Sequence, residues 1–135
     1  MKVVFNLTDS QIEQLNALYQ NEWWTKGRTL ADTYSVIRGS TLNVAIVDGD
    51  DNLIGYARVL TDFVYKAFIY DVIVLEKERG NGIGELIMTT ILTHDQIANV
   101  EHVELYCRDE LVEYYQRYGF STEVGPINLM RKQKT

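Results

Sequence analysis

Apolar residues recur along this chain with two periods, and the switches between them mark out the elements. Lys2 to Asn6 can form a short first strand. Thr8 with Gln11 three positions on is a capping-box pattern, and Ile12, Leu15, Leu18 and Tyr19 then share one helical face. Leu30, Thr33, Tyr34 and Ile37 repeat the helical spacing, with Gly39 as a stop. Leu42 to Val47 reads as a strand, Asp48-Gly49-Asp50-Asp51-Asn52 as a turn, and Leu53 to Leu60 as the hairpin partner. Ala67 to Leu75 is almost unbroken in apolar residues, as expected of a central strand covered on both faces.

Ile83, Leu86, Ile87 and Ile91 mark a helical stripe ending near His94, and Val103 to Tyr106 is a short strand that this crossover helix brings parallel to the previous one. Leu111, Tyr114, Tyr115 and Tyr118 form a last stripe closed by Gly119. Phe120 to Val124 and Ile127 to Met130 are compatible with a terminal hairpin around Gly125-Pro126. The pattern predicts one α+β domain over 1–135: a mixed, mostly antiparallel sheet of six or seven strands with about four helices, in the order βααβββαβαββ.

Between the central strand and the following helix lies Arg79-Gly80-Asn81-Gly82-Ile83-Gly84. Glycines let a backbone approach a ligand without Cβ atoms in the way, and the helix behind aims free N–H groups and partial positive charge into the turn. Such a place suits a phosphate or pyrophosphate. A Walker loop is excluded because Glu85 and Leu86, not Lys and Ser/Thr, follow Gly84. A dinucleotide fingerprint counted from Gly80 would need glycine where Glu85 stands. What remains is R-x-x-G-x-G, filled by Arg79, Gly82 and Gly84.

That pattern resembles the acyl-CoA pyrophosphate loop of the GNAT superfamily of N-acetyltransferases. Tyr114-Tyr115-Gln116-Arg117-Tyr118-Gly119-Phe120 is similar to the family's second signature, an aromatic-Tyr-x-x-x-Gly-Phe helix end. The similarity extends from about Thr8 to Met130 and looks closest to small, single-domain members with a Lys-Gly-Arg segment, here Lys26-Gly27-Arg28. The resemblance implies acetyl-CoA as acyl donor, with a pantetheine arm along the backbone of Val72, Ile73 and Val74. Its pyrophosphate would lie on the N–H groups of Arg79, Gly80, Asn81, Gly82, Ile83 and Gly84. It further implies Tyr115 as general acid toward the thiolate, the region of Trp23, Trp24 and Arg28 as the cap of an acceptor pocket, and a possible homodimer through the terminal strands.

Transfer to an amine also requires removal of a proton, since a primary amine near pKa ~10 is mostly protonated at neutral pH. Asp71 interrupts the apolar strand just before Val72 and is the candidate base, by way of a pKa raised on burial; the competing reading is a salt bridge to a neighbour such as Arg58. Tyr115 likewise has a packing alternative on its aromatic face, and Trp23 and Trp24 one as a staple between helix ends. Cys107 reads as a packed free cysteine, with an acyl-cysteine relay as the alternative. Arg108 and Asp109 form a polar pair near the expected cleft. Glu85, in the first helical turn, suits the helix dipole but opposes a nearby phosphate.

Composition narrows the function classes. The net charge of −6 argues against a general nucleic-acid binder and favours a basic small-molecule substrate. The single cysteine precludes an internal disulfide, and His94, His102 and Cys107 make no metal-ligand spacing. With no apolar run approaching ~18 residues, no membrane span is expected, and the chain reads as soluble and cytoplasmic. The leading expectation is therefore transfer of acetyl from acetyl-CoA to a small primary amine in a ternary complex, without metal. A protein-lysine acetyltransferase is a variant of the same class; a non-catalytic acyl-CoA-binding regulatory module is the alternative from another.

Overall fold

The computed structural model describes residues 1–134; Thr135, the last residue of the expected domain, lies outside the described residues. The elements are β1 (Lys2–Val4), α1 (Asp9–Gln20), α2 (Leu30–Gly39), β2 (Leu42–Val47), β3 (Leu53–Thr61), β4 (Lys66–Val74), α3 (Ile83–Thr93), β5 (His102–Leu105) and α4 (Val112–Gln116). The sheet runs β1-β2-β3-β4-β5 in space, antiparallel except for the parallel β4–β5 pair. That one parallel pairing follows from the α3 crossover, which returns the chain in the same direction.

Local chemistry explains the helix starts. Thr8 Oγ1 accepts from Gln11 N–H while Gln11 Oε1 accepts from Thr8 N–H, the reciprocal capping box. Thr29 caps α2 through Asp32 N–H. The stripe Ile83, Ile87, Met88 and Ile91 is buried against Val44, Ile46, Ala57, Val59 and Ile69 of the sheet. Each such side chain contributes about 1.5–3 kcal/mol of burial, which fixes α3 on that face. A second core joins Leu15, Leu18 and Tyr19 of α1 to Ala45, Tyr56 and Ile73 on the other.

Gly55 sets the height of α3. A Cβ there would lie 2.6 Å from Ile83 Cγ2, so only glycine lets the first turn of the helix rest on β3. Gly55 pairs with Val74, and the N-terminus of α3 is thereby brought to the end of β4.

Five strands are present among the described residues rather than six or seven. The expected terminal hairpin is the difference. Phe120 to Val124 and Ile127 to Met130 are irregular, without a ladder, and polar groups of the first pair locally, Glu123 N–H to Ser121 Oγ and Val124 N–H to Thr122 O. Val124, Ile127, Leu129 and Met130 stay exposed. A groove of about 630 Å³ lies between this segment and β5 and is lined by both.

Candidate active site

β4 and β5 are paired from Lys66–His102 to Ile69–Leu105 and then part. The β3–β4 register shifts at the same level, with Tyr56 opposite Ile73 but Arg58 opposite Tyr70. The extra residue makes a β-bulge, and Asp71 takes the left-handed conformation at φ 56°. Beyond it, Leu75 N–H donates to Ile54 O. By the two-residue alternation, the polar groups of Val74 and Val72 face away from β3, toward the gap. The gap is a cleft of about 890 Å³, walled by β4 from Ile69 to Val74, the end of β5, Trp23 and Trp24, and Tyr114 and Tyr115 of α4. An extended amide-bearing ligand laid along β4 would find backbone with no neighbouring strand there, Val74 O being met by the Arg79 side chain.

The glycine loop closes one end. Glu76–Glu78 forms a single 3-10 turn, and Gly80 and Gly82 have φ of 87° and 80°, conformations that L side chains rarely adopt. A Cβ at either would meet nothing within 4 Å, so the space over the turn is open. Gly82 is the N-cap of α3, and its carbonyl accepts the first helical bond, from Leu86 N–H. The N–H groups of Ile83, Gly84 and Glu85 thus lack helical partners and face the loop end. Gly84 has a different reason: a Cβ there would lie 2.7 Å from the Tyr114 hydroxyl. Asn81 Nδ2 bonds Glu78 Oε2 at 3.3 Å, and Glu85 is exposed.

Asp71 is held from three sides. Arg28 donates through Nη1 to Oδ2 at 2.7 Å and Nη2 to Oδ1 at 3.3 Å, Arg58 Nε donates to Oδ2 at 2.8 Å, and Tyr19 O–H donates at 3.1 Å. Burial pushes the carboxyl up, but the donations from the two guanidiniums outweigh it and hold Asp71 below the ordinary carboxylate value. The expected rise in basicity is therefore reversed, and the salt-bridge reading of Asp71 is the one the geometry matches. Arg28 is itself fixed, its guanidinium 4.6 Å over the Tyr19 ring and its carbonyl accepting from Asn16 Nδ2 and Gln20 Nε2. Its side chain grips Asp71 rather than reaching into the cleft.

Tyr115 is 8% exposed and stands in the wall shared by the cleft and the groove beside β5. Its hydroxyl makes no hydrogen bond within the described residues. Burial, with the Cys107 and Tyr118 groups nearby, pushes its pKa up to about 12, which keeps the phenol a donor at neutral pH. Trp23 and Trp24 both line the cleft, 70% and 41% exposed, so they are wall residues rather than a buried staple. Arg108 lies 5.1 Å over Trp23 and pairs with Glu110 at 3.1 Å, not with Asp109.

Cys107 departs from the expectation of packing. It is exposed at the end of β5, and partial burial with Asp109 and Glu110 nearby raises its pKa, keeping the thiol protonated. His94 caps α3 and stacks edge-on with Phe5, while His102 is exposed beside Lys66. No helix among the described residues is long and apolar enough to cross a membrane.

Sequence reasoning missed Tyr114 as the partner of Gly84 and Glu22 as a cleft residue. Glu22 carried no local signal; its partner, Arg79, is 57 positions away.

Known proteins match this arrangement. The chain is 23% identical over 118 residues to an uncharacterized N-acetyltransferase (ycf52) of Porphyra purpurea, covering 85% of this chain and 67% of that one. It is 26% identical over 107 residues to GCN5-related N-acetyltransferase 2, chloroplastic, of Arabidopsis thaliana, covering 75% of this chain and 42% of that protein. The chain thus spans about two thirds or less of these relatives' length. A crystal structure described as an acetyltransferase belonging to the GNAT family, from Xanthomonas campestris pv. campestris, superposes with a TM-score of 0.85 at 28% identity, covering 98% of this chain and 92% of its own. The model of the acetyltransferase (GNAT) family matches residues 8–120, and the chain belongs to that family.

Proposed function

We propose that this protein transfers an acetyl group from acetyl-CoA to the primary amine of a small molecule. The observation that carries the reading is the continuity of one surface. The outward backbone edge of Val72 and Val74 runs into a glycine turn under the N-terminus of α3, with open space above both. The edge suits the amides of a pantetheine arm, and the turn suits a pyrophosphate. Gly80, Gly82 and the N–H groups of Ile83 and Gly84 would hold the phosphates; Val72 and Val74 would hold the arm.

In the reaction the amine nitrogen forms a bond to the acyl carbon as the carbon–sulfur bond breaks. Tyr115 gives its phenolic proton to the leaving sulfur, and the proton lost from the amine returns to solvent. Asp71, held ionised by two guanidiniums, serves as a fixed anion that orders the Arg28 segment beside the cleft rather than as the proton acceptor. The aromatic walls at Trp23 and Trp24 and the acidic balance of the chain favour a cationic acceptor.

The test is a thermal-shift titration with CoA and acetyl-CoA, followed by CoA release with a panel of amines, polyamines, amino acids and peptides. A raised Tm and amine-dependent CoA release are expected. No shift at millimolar CoA removes the reading; a shift without release under any amine favours an acyl-CoA-binding module that does no chemistry.

A further inference from the structure

Arg79 stands at the mouth of the cleft with its side chain engaged in two directions, neither of them into the glycine turn. Nη2 donates to Glu22 Oε1 at 2.6 Å, and Nε donates to Val74 O at 3.3 Å. Val74 O is the outward-facing acceptor that a ligand laid along β4 would use. Glu22 follows the C-terminal end of α1, where the helix's partial negative charge disfavours a carboxylate, and Arg79 compensates it. The pair's side chains are 22% and 53% exposed, so it is solvent-screened and readily exchanged.

Among the described residues three carboxylates line the cleft: Glu22, Asp71 and Glu110. Asp71 is clamped by Arg28 and Arg58, and Glu110 pairs with Arg108 on its own segment. Only Glu22 depends on a cation that belongs to the phosphate-binding turn itself. A pyrophosphate on that turn carries more negative charge than one carboxylate and competes directly for Arg79.

We propose that Arg79 leaves Glu22 and Val74 O for the pyrophosphate of an incoming acyl-CoA, and that Glu22, released, binds the ammonium group of the acceptor. The inference rests on the acyl-CoA reading above. The exchange uncovers Val74 O for the pantetheine arm and frees the Glu22 carboxylate from Arg79 beside Trp23 and Trp24, in a cleft that Arg108, paired with Glu110, and Arg131 also line. Donor and acceptor binding are then coupled through one side chain, with the donor first.

Calorimetric titration of CoA and of pantetheine into wild type, Glu22→Gln, Arg79→Gln and the double variant tests the exchange. Arg79→Gln weakens CoA about 10-fold, the scale of a lost hydrogen bond to a charged group, while pantetheine, lacking the pyrophosphate, binds no more weakly. Glu22→Gln tightens CoA about threefold, the scale of a screened pair, and the gain disappears in the double variant. Trp23 and Trp24 are the chain's two tryptophans, so intrinsic fluorescence reports butylammonium binding at Glu22. Saturating CoA strengthens that binding in wild type and not in Glu22→Gln.

Unchanged or weaker CoA binding by Glu22→Gln overturns the exchange, as does a gain that persists without Arg79. Butylammonium binding that ignores CoA or Glu22 overturns the acceptor half. Wild type that fails to bind CoA removes the acyl-CoA reading itself, a separate outcome from equal binding by wild type and Glu22→Gln.

Discussion

The hydroxyl of Tyr114 occupies the place that a side chain at Gly84 would take, since a Cβ there would lie 2.7 Å from that oxygen and 3.8 Å from the ring carbon bearing it. The two residues come from α4 and α3, and their fit locks the second signature onto the first turn behind the glycine loop. Gly84→Ala should lower stability by about 1–2 kcal/mol, an overpacking cost that exceeds alanine's gain in helix propensity. Adding Tyr114→Phe removes the clashing atom and should restore wild-type stability in urea denaturation. A double variant as unstable as Gly84→Ala would place the strain elsewhere.

Asp71→Asn keeps a side chain that tolerates the left-handed backbone but removes the charge between two guanidiniums. With Asp71 only 5% exposed, the loss should be about 3 kcal/mol at pH 7. Because the folded pKa lies below the unfolded one, the charge stabilises fully above the unfolded value of ~3.9 and the benefit fades as pH falls through the folded value. The gap between wild type and variant should therefore begin to narrow below about pH 4 and go on narrowing as the pH falls toward the folded value. A gap independent of pH, measured by urea midpoints from pH 3 to 8, would mean that shape rather than charge is at stake.

Tyr115→Phe keeps the ring and its contact with Phe120 while deleting one proton donor. CoA affinity and Tm should hold, and turnover with an accepted amine should fall about 10²-fold, the scale of general-acid assistance. With the phenol pKa near 12, wild-type kcat should show no loss of an acid group up to about pH 10. Tyr118→Phe, in the turn just past α4, is the control. Full activity in Tyr115→Phe would leave water as the proton donor.

Glu85 is exposed in the first turn of α3. Glu85→Lys should tighten CoA binding by severalfold at low ionic strength and by less at 0.5 M salt, where the Debye length is only a few ångströms. Equal affinities at both salts would show that the side chain lies outside the field of the phosphates.

β2 was legible to the residue, Leu42–Val47, because an apolar run is bounded by Gly39 and by the Asp48–Asn52 turn. The start of α3 was legible because glycine at 82 admits the left-handed N-cap. The bulge at Asp71 was not. Ala67 to Leu75 is apolar nearly throughout, so no alternation was there to be interrupted. Gly125-Pro126 signalled a turn correctly, but Ser121 and Thr122 offered their neighbours local bonds that compete with a ladder. The Asp71–Arg58 pair was one of the two readings the sequence left open, but the pairs of Asp71 with Arg28 and of Glu22 with Arg79 join more distant segments, and distant pairing leaves no periodic trace.

The residue inserted at Asp71 turns β4 over. Ala67 and Ile69 look toward α3, and past the bulge Val72 and Val74 take that direction while Ile73 packs with α1. Tolerance to polar substitution along the strand should therefore reverse phase midway, odd positions being the sensitive ones against α3 before the bulge and even ones after it. β4 thus keeps α3 on one face along its whole length but meets it with odd residues before the bulge and even ones after. A change in α3 is therefore felt by both halves of the strand, through residues of opposite parity.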